Sequence, residues 1–363
     1  MSLTVTNSVL RDLASFRSSG GGALSMYLNL DPSVAPTPSD VDTRFRARLS
    51  EAEKAGEGGD AERITSWWEN DFDRDGVQGL AVFSSTADNF FLVVPLPTPV
   101  EDAVYVGDDL LISPLVGDAG EVETFVAVVS REQGRVYSLR GGRLEEVIDE
   151  SEEQPGQHTQ GGWAQARYQR HIDNLVQQHL KTVGEAIEKR ARGVSQLQLV
   201  VVAAEEMRSD FASALSQDAS ESIVGWASAE AHAGPADLLE VVRPVLDEAD
   251  ARRVQEALER YEEELGRGAR ASAGWQPTLD AAADTRVELL LVTQGANRAV
   301  YQCPECRRAF VDDGTCPIDD LALVKKEDGV DIAIRHTLAN GGQAVKVGSG
   351  ALGDEEIGAL LRY

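Results

Sequence analysis

Apolar residues in the first third of the chain recur with two periods, one typical of helices and the other of strands. The spacing of Val9, Leu10, Leu13 and Phe16 predicts a helix, and the apolar run over residues 24–30 predicts a strand. Further on, the pattern predicts helices over 40–55 and 61–72 and a hairpin of strands over 79–84 and 90–95. We therefore predict an α/β domain over residues 1–118.

The middle of the chain repeats this mixture around one long helix. Alternating apolar positions predict strands over 123–130, 135–139, 144–148 and 222–226. Helical spacing predicts helices over 163–191, 209–215 and 235–246. The run over 197–203 is almost entirely apolar, which is typical of an interior strand covered on both faces. We predict a second domain over residues 119–270, with a charged helix over 248–267 that bridges to the third.

The C-terminal part contains short strands and one clear helix. The pattern predicts strands over 287–292, 299–302 and 344–347, a helix over 331–340 and a final apolar segment over 357–363. We predict a third domain over residues 271–363. The fold class predicted for the whole chain is therefore α/β with three domains.

Composition and charge narrow the function classes. The 363 residues are 42% apolar, enough to fill a core in each domain, so a disordered chain is excluded. With 34 basic and 61 acidic residues the formal net charge is −27, which disfavours DNA and anionic membranes as general partners. No run reaches the roughly 18 apolar residues of a membrane helix, and the N-terminus has no signal-peptide pattern. We expect a cytoplasmic protein without a membrane partner.

The segment that begins at Gly161-Gly162 is a basic exception in this acidic chain. Between residues 161 and 195 six basic residues face three acidic ones, a net charge of +3. Two adjacent glycines permit close approach of another molecule to the backbone, and arginine binds phosphates through two parallel hydrogen bonds. The alternative is that the two glycines mark only the start of a helix and have no binding role. We predict an RNA contact here, made by Trp163, Arg167, Arg170, Lys189, Arg190 and Arg192.

The segment from Gly161 to His171 resembles the catalytic loop and helix of the bacterial branch of the archaeal and eukaryotic peptide-chain release factors. It is also similar to the Vms/ANKZF-type peptidyl-tRNA hydrolases of ribosome quality control. The C-terminal residues 357–363 resemble the end of the release factors' third domain, and residues 27–30 resemble the first strand of the bacterial branch. Release factors carry Gly-Gly-Gln without interruption, whereas Trp163-Ala164 separate the glycines from Gln165 here.

The resemblance implies both a fold and a chemistry. It implies a ribonuclease-H-like middle domain, a C-terminal α/β/α sandwich, and Gly161, Gly162 and Gln165 as catalytic residues. A glutamine amide does not titrate, so Gln165 would orient the nucleophile or donate a hydrogen bond rather than remove a proton. The expected activity is cleavage of peptidyl-tRNA on the large ribosomal subunit of stalled ribosomes, at the ester or at the tRNA 3′ end. The alternative is a ribosome-binding or dormancy factor that keeps the fold without the chemistry.

All three cysteines of the chain lie in one short window. Cys303, Cys306, Cys316 and Asp319 form two pairs with two residues inside each pair, the spacing of a zinc ribbon whose last cysteine is replaced by aspartate. The fourth ligand is open between Asp319, Asp320 and water. The alternative is a loop that has lost its zinc site and is held by its turns alone. We predict a structural zinc ion in a ribbon inserted in the third domain.

Overall fold

The computed structural model describes residues 7–363 except 21, 56–57, 75–76, 97, 117–122, 141, 152–162, 193, 195–196 and 231; residues 7 and 163–173 are described by their backbone alone. The chain divides into two compact units. Residues 1–120 and 254–363 form one unit, and residues 121–253 form the other. The predicted domain boundary after residue 118 lies close to the first of these limits, and the division into three domains stays a prediction.

The N-terminal segment of the first unit contains three helices and four strands. In chain order these are α1 (Asn7–Ser15), β1 (Ala23–Asn29), α2 (Pro38–Lys54), α3 (Gly58–Asp71), β2 (Gly79–Ser85), β3 (Phe90–Leu96) and β4 (Ala103–Gly107). A single 3₁₀ turn follows at Ser113–Leu115. Helix α2 begins with a capping box, in which the Thr37 hydroxyl accepts from the Asp40 amide and the Asp40 carboxylate accepts from the Thr37 amide.

The remaining elements follow in two groups. The middle of the chain forms β5 (Glu123–Val129), β6 (Gly134–Arg140), β7 (Arg143–Asp149), α4 (Trp163–Arg190), β8 (Leu197–Val202), α5 (Glu205–Ala214), α6 (Gln217–Glu221), β9 (Ile223–Ala227) and α7 (Pro235–Gly266). The C-terminal segment forms β10 (Ala271–Ala273), α8 (Trp275–Ala283), β11 (Val287–Thr293), β12 (Val300–Gln302), β13 (Ala309–Phe310), β14 (Val324–Lys326), α9 (Gly329–Ala339), β15 (Gln343–Val347) and β16 (Ile357–Leu361).

Strand β1 lies inside the N-terminal sheet and is buried on both faces. The strand order is β3-β2-β1-β4, and all pairs are antiparallel. Alternate residues of a strand face opposite sides. Leu24, Met26 and Leu28 accordingly join the core beneath α2 and α3, whereas Tyr27 joins the core on the other face.

The C-terminal sheet shares that second core. Its order is β10-β16-β11-β15, with β15 parallel to β11 and β16 antiparallel to it. Leu290 and Val292 of β11 face a core made with α1, α8, α9 and the N-terminal sheet, and Leu291 faces Tyr261 of α7. Because one continuous apolar core lies between the two sheets, residues 1–120 and 254–363 pack as one unit.

The second unit contains one sheet with a long helix against it. The order is β7-β6-β5-β8-β9; β6 is antiparallel to β5 and β7, and β8 is parallel to β5 and β9. Strand β8 is an interior strand with buried residues on both faces, as its apolar sequence predicts. The predicted ribonuclease-H-like fold of this domain stays a prediction.

The structure corrects the sequence prediction at several elements. The helices predicted over 235–246 and 248–267 are one 32-residue helix, α7, which continues through Pro244. Proline removes one helical hydrogen bond, but Leu238 and Val242 before it and Ala249 after it are all buried, so packing keeps the helix continuous. Strands β4, β10, β13 and β14 and helices α6 and α8 were not predicted. None of the helices in the described part of the chain has the length and apolar character needed to cross a bilayer.

Candidate functional site

The two glycines of the predicted catalytic loop, Gly161 and Gly162, lie outside the described residues. The backbone of Gln165 lies in the first turn of α4, together with that of Trp163, and Arg167 and Arg170 follow in the next turns. The helix begins at the residue that the sequence predicts. The assignment of these residues to catalysis and RNA binding stays a prediction.

The middle of α4 is fixed to the sheet of the second unit. Val176, Leu180, Val183 and Ile187 are buried at the helical spacing that the sequence indicates. Gly134 permits the close approach, because a Cβ atom there would lie 2.4 Å from the Val183 Cγ2 atom. Residues 163–173 therefore form the N-terminal end of a helix whose middle is packed firmly against the sheet.

The predicted RNA-binding residues fall into two groups on this helix. Lys189, Arg190 and Arg192 are exposed at its C-terminal end, and Lys189 is 19 residues beyond Arg170. At 1.5 Å per helical residue, the two groups are about 29 Å apart along the helix. One phosphate cannot contact both, so a shared ligand must be as long as a folded RNA.

The four predicted metal ligands lie together on the small sheet β13-β12-β14. They belong to two turns with the same hydrogen bonds. In the first, the Arg307 amide donates to the Cys303 carbonyl and the Cys303 amide donates to the Arg308 carbonyl; in the second, Asp320 donates to Cys316, and Cys316 donates to Leu321. Arg307 and Asp320 both have positive φ, 65° and 55°. Asp319 thus occupies the position that Cys306 has in the first turn.

The distances fit a tetrahedral metal ion. The four ligand atoms all lie within 4.8 Å of one another. The Cys306 and Cys316 Sγ atoms are 3.6 Å apart, and the Asp319 Oδ2 atom is 3.1 Å from the Cys303 Sγ atom. Two thiolates on one zinc ion are about 3.8 Å apart, given Zn–S bonds near 2.3 Å. These four residues could therefore hold a metal ion, with Asp319 as the fourth ligand.

The protonation of the cluster depends on its turns. Burial, together with the hydrogen bond to Asp319, raises the pKa of the Cys306 thiol to about 12. Burial also opposes ionisation of Cys316, but backbone amides of Asp319 and Ile318 lower the pKa of this thiol below its usual value. A metal ion binds thiolates and would displace the remaining thiol protons.

A buried ion cluster, which sequence reasoning missed, lies next to the first metal turn. The Asp109 carboxylate, which is 2% exposed, pairs with Arg17, Arg307 and Arg335. Burial opposes its charge, but the guanidinium groups of Arg335 and Arg17 hold the pKa of Asp109 below its ordinary value. Because Arg307 directly follows Cys306, the cluster connects the metal turn to the N-terminal segment. No signal in the sequence joins residues this far apart.

Asp331 extends this cluster from the first turn of α9. Its carboxylate binds the Arg335 Nε atom at 2.7 Å and accepts from the amides of Ile112 and Ser113 at 2.7 and 2.8 Å. The Arg307 carbonyl in turn accepts a hydrogen bond from Gln302 and lies 3.1 Å from the His336 Nε2 atom. Charged groups thus fix α9 and the metal turn to the segment that follows β4.

The sequence matches known translation factors. Residues 112–250 match the family described as "Bacterial archaeo-eukaryotic release factor family 10", a segment that covers less than half of the chain. The chain is 25% identical over 222 residues to peptide chain release factor subunit 1 of Methanopyrus kandleri, a match that covers 58% of this chain and spans about half, 53%, of that relative. The same factor from Archaeoglobus fulgidus is 21% identical over 319 residues, covering 82% of this chain and 77% of the relative.

The solved structures add less. Saccharomyces cerevisiae Dom34, described as a translation termination-like factor involved in RNA quality control pathways and interacting with Hbs1, is 12% identical, covers 81% of each chain and has a TM-score of 0.39. The family match and the release-factor relatives together support a place for this chain in the bacterial archaeo-eukaryotic release factor-like superfamily.

Proposed function

We propose that this protein is a release-factor-like translation factor that acts on stalled ribosomes and cleaves peptidyl-tRNA. The observation that carries the proposal is the position of the family match. Residues 112–250 include both glycines, Gln165 and the whole of α4, so the matched segment contains every residue that we assign to the chemistry. The finer likeness to the Vms/ANKZF-type hydrolases, and the cytoplasmic location, stay predictions.

The proposed chemistry is mostly orientation. Gly161 and Gly162 would let the loop enter a narrow site at the tRNA acceptor end, and Gln165 would orient the attacking nucleophile. Arg167 and Arg170 would hold acceptor-stem phosphates, and Trp163 would contribute to the RNA contact. The separation of about 29 Å between the two basic groups of α4 suits a partner with the length of a tRNA or a ribosomal RNA helix.

The alternative function is ribosome binding without cleavage, as in a dormancy factor. One observation favours it. Trp163-Ala164 separate the glycines from Gln165, and the backbone of Gln165 is already helical. A glutamine inside a helix has less freedom to reach a reacting bond than one in a loop.

The deciding experiment uses purified ribosomes that carry a stalled, labelled peptidyl-tRNA. We expect the wild-type protein to release the peptide, and analysis of the tRNA 3′ end shows which bond is cut. Gln165→Ala should abolish release while ribosome binding changes little, because one uncharged side chain contributes little to a large electrostatic interface. Gln177→Ala is the matched control, since Gln177 is an exposed glutamine on the same helix.

The outcomes separate the two functions. Release by the Gln177 variant and loss of release in the Gln165 variant would support the assigned chemistry. Binding of the wild-type protein to ribosomes without any release would favour the dormancy alternative. Full release by Gln165→Ala would show that the catalytic assignment is wrong. Arg167→Ala/Arg170→Ala should weaken binding and reduce its dependence on salt.

We also propose that Cys303, Cys306, Cys316 and Asp319 hold a structural zinc ion. The donor set of three thiolates and one carboxylate and the two equivalent turns support this assignment. When bound, the ion would supply cross-links within a hairpin whose large apolar side chains Ile318, Leu321 and Val324 are exposed rather than packed in a core. Direct metal analysis tests the proposal.

A further inference from the structure

The hairpin that carries the second metal turn exposes an unusual amount of apolar side chain. Ile318 is 61% exposed, Leu321 42% and Val324 49%. They are three of only six large apolar side chains that are strongly exposed in the described part of the chain. Single exposed apolar residues are common on proteins, but three within seven residues of one hairpin indicate an interaction surface.

These three side chains are not needed to hold the hairpin together. Its two arms are joined by backbone hydrogen bonds from Cys316 to Leu321 and from Leu323 to Gly314. The ligand cluster lies on its inner side, where Cys303 and Cys316 are buried. Ile318 lies between the ligands Cys316 and Asp319 in sequence, and its side chain is exposed. The hairpin thus buries two of its ligands and exposes its three large apolar side chains.

Several acidic side chains near these apolar residues have no basic partner and can pair with another molecule. Three of the four basic residues between 305 and 327 are already paired: Arg307 with Asp109, Arg308 with Asp284, and Lys325 with Glu327. In contrast, Asp312, Asp313 and Asp320 are exposed and have no basic partner among the described residues. The free charge of this surface is therefore negative.

This charge selects among partners. RNA phosphates would be repelled, and so would the same acidic surface of a second copy of this chain. A protein with an apolar centre and a rim of lysine and arginine fits both features, because its rim pairs with the free aspartates while its centre covers the three apolar side chains.

We propose that the outer face of the metal hairpin, formed by Ile318, Leu321 and Val324 and bordered by Asp312, Asp313 and Asp320, docks onto a basic ribosomal protein. The proposal rests on the proposed ribosomal function and adds a second type of contact to it. The basic residues of α4 contact RNA, whereas this face contacts protein. The two contacts belong to different units of the chain, so each can be removed separately.

The first test identifies the partner by cross-linking. A photoreactive phenylalanine analogue replaces Ile318 in the full-length protein, which is then bound to purified ribosomes and irradiated. The control carries the analogue at Val34, which is 43% exposed elsewhere on the same unit. We expect a cross-link from position 318 to one ribosomal protein, resistant to ribonuclease and removed by protease, and none from position 34. A cross-link to ribosomal RNA, or none despite co-sedimentation, would overturn the proposal.

The second test measures affinity. Ile318→Ser/Leu321→Ser should weaken ribosome binding about tenfold, the effect of losing a small apolar anchor, with no change in thermal stability. Val34→Ser/Leu265→Ser is the matched control and should bind normally, since these side chains are similarly exposed. Equal binding by both variants would exclude the docking surface. If even the wild-type protein does not co-sediment with ribosomes, the proposed function itself fails, which the cross-linking result alone would not indicate.

Discussion

Replacing Asp109 by alanine should lower the free energy of unfolding of the first unit far more than removing Glu288 from its exposed, doubly hydrogen-bonded pair with Arg260. Asp109 is the only carboxylate shared by Arg17, Arg307 and Arg335 among the described residues. The three arginines come from the N-terminal segment, the first metal turn and α9. In the Asp109→Ala protein they would face one another without their common counter-charge.

The size of the effect follows from the burial of each arginine. The Arg17 side chain is 43% exposed and can turn to water, and Arg307 is 21% exposed. Arg335 is only 5% exposed and would keep a single partner, Asp331. Removing one member of a buried ion pair costs about 3–5 kcal/mol, because a buried charge is left uncompensated. We expect Asp109→Ala to lie in this range, with Arg335 responsible for most of it.

Glu288→Ala provides the control. Glu288 binds Arg260 through two hydrogen bonds of 2.7 and 2.8 Å, but both side chains are more than 40% exposed. An exposed pair contributes about 1 kcal/mol or less. Urea denaturation of the full-length proteins, combined with hydrogen exchange on peptides from α9 and β1, measures both variants and assigns the loss to the first unit.

Two results would refute this reasoning. The first is a loss in Asp109→Ala no larger than that in Glu288→Ala. The second concerns the triple variant Asp109→Ala/Asp331→Asn/Arg335→Met, which removes the buried Arg335 charge together with its remaining partner and should recover part of the lost stability. A triple variant less stable than Asp109→Ala would mean that the Arg335 charge is not the source of the cost. Because the pKa of Asp109 is lowered, the difference from wild type should stay constant between pH 8 and pH 5.

Three further predictions concern other parts of the chain. Burial and the neighbouring Asp331 raise the pKa of Asp328 to about 6 from 3.8, so its charge destabilises the fold above pH 6. Asp328→Asn keeps the helix cap and should raise the free energy of unfolding by up to about 3 kcal/mol at pH 8, measured by urea denaturation. This gain should vanish as the pH falls to about 4. Protein purified without chelator should contain about one zinc ion per chain by elemental analysis. Cys303→Ser and Asp319→Ala should each lower the melting temperature, whereas the control Asp320→Asn should not. A metal-free protein of unchanged stability would contradict the assignment. Gly134→Ala should cost about 1–3 kcal/mol because its Cβ atom would collide with Val183, and Gly134→Ala/Val183→Ala should recover part of this loss; a neutral Gly134→Ala would show that the sheet and α4 are not in close contact.

Local sequence patterns determined most of the secondary structure. The apolar spacing of Leu180, Val183 and Ile187 predicts the buried stripe of α4, and the structure confirms it. The same holds for the interior strand β8 and for the hairpin of β2 and β3. The grouping of Cys303, Cys306, Cys316 and Asp319 was also predictable, since the two turns that carry the ligands are closed by hydrogen bonds between near neighbours. In each case the deciding interactions span a few residues or one repeating face.

The partners of each buried face were decided only by the tertiary structure. The apolar run of β1 predicts a strand, but not that Tyr27 belongs to a core shared with α8 and α9, more than 240 residues further along the chain. The two helices predicted on either side of residue 247 are one helix, α7, which packing keeps continuous through Pro244. The Asp109 cluster shows the same limit for charges: nothing in the sequence near Asp109 or Arg335 indicates that the fold brings the carboxylates of Asp109 and Asp331 together with three guanidinium groups from distant segments. The spacing of apolar residues determines which side of a helix or strand is buried. Which residues pack against that side depends on contacts between distant segments, and these form only when the whole unit folds.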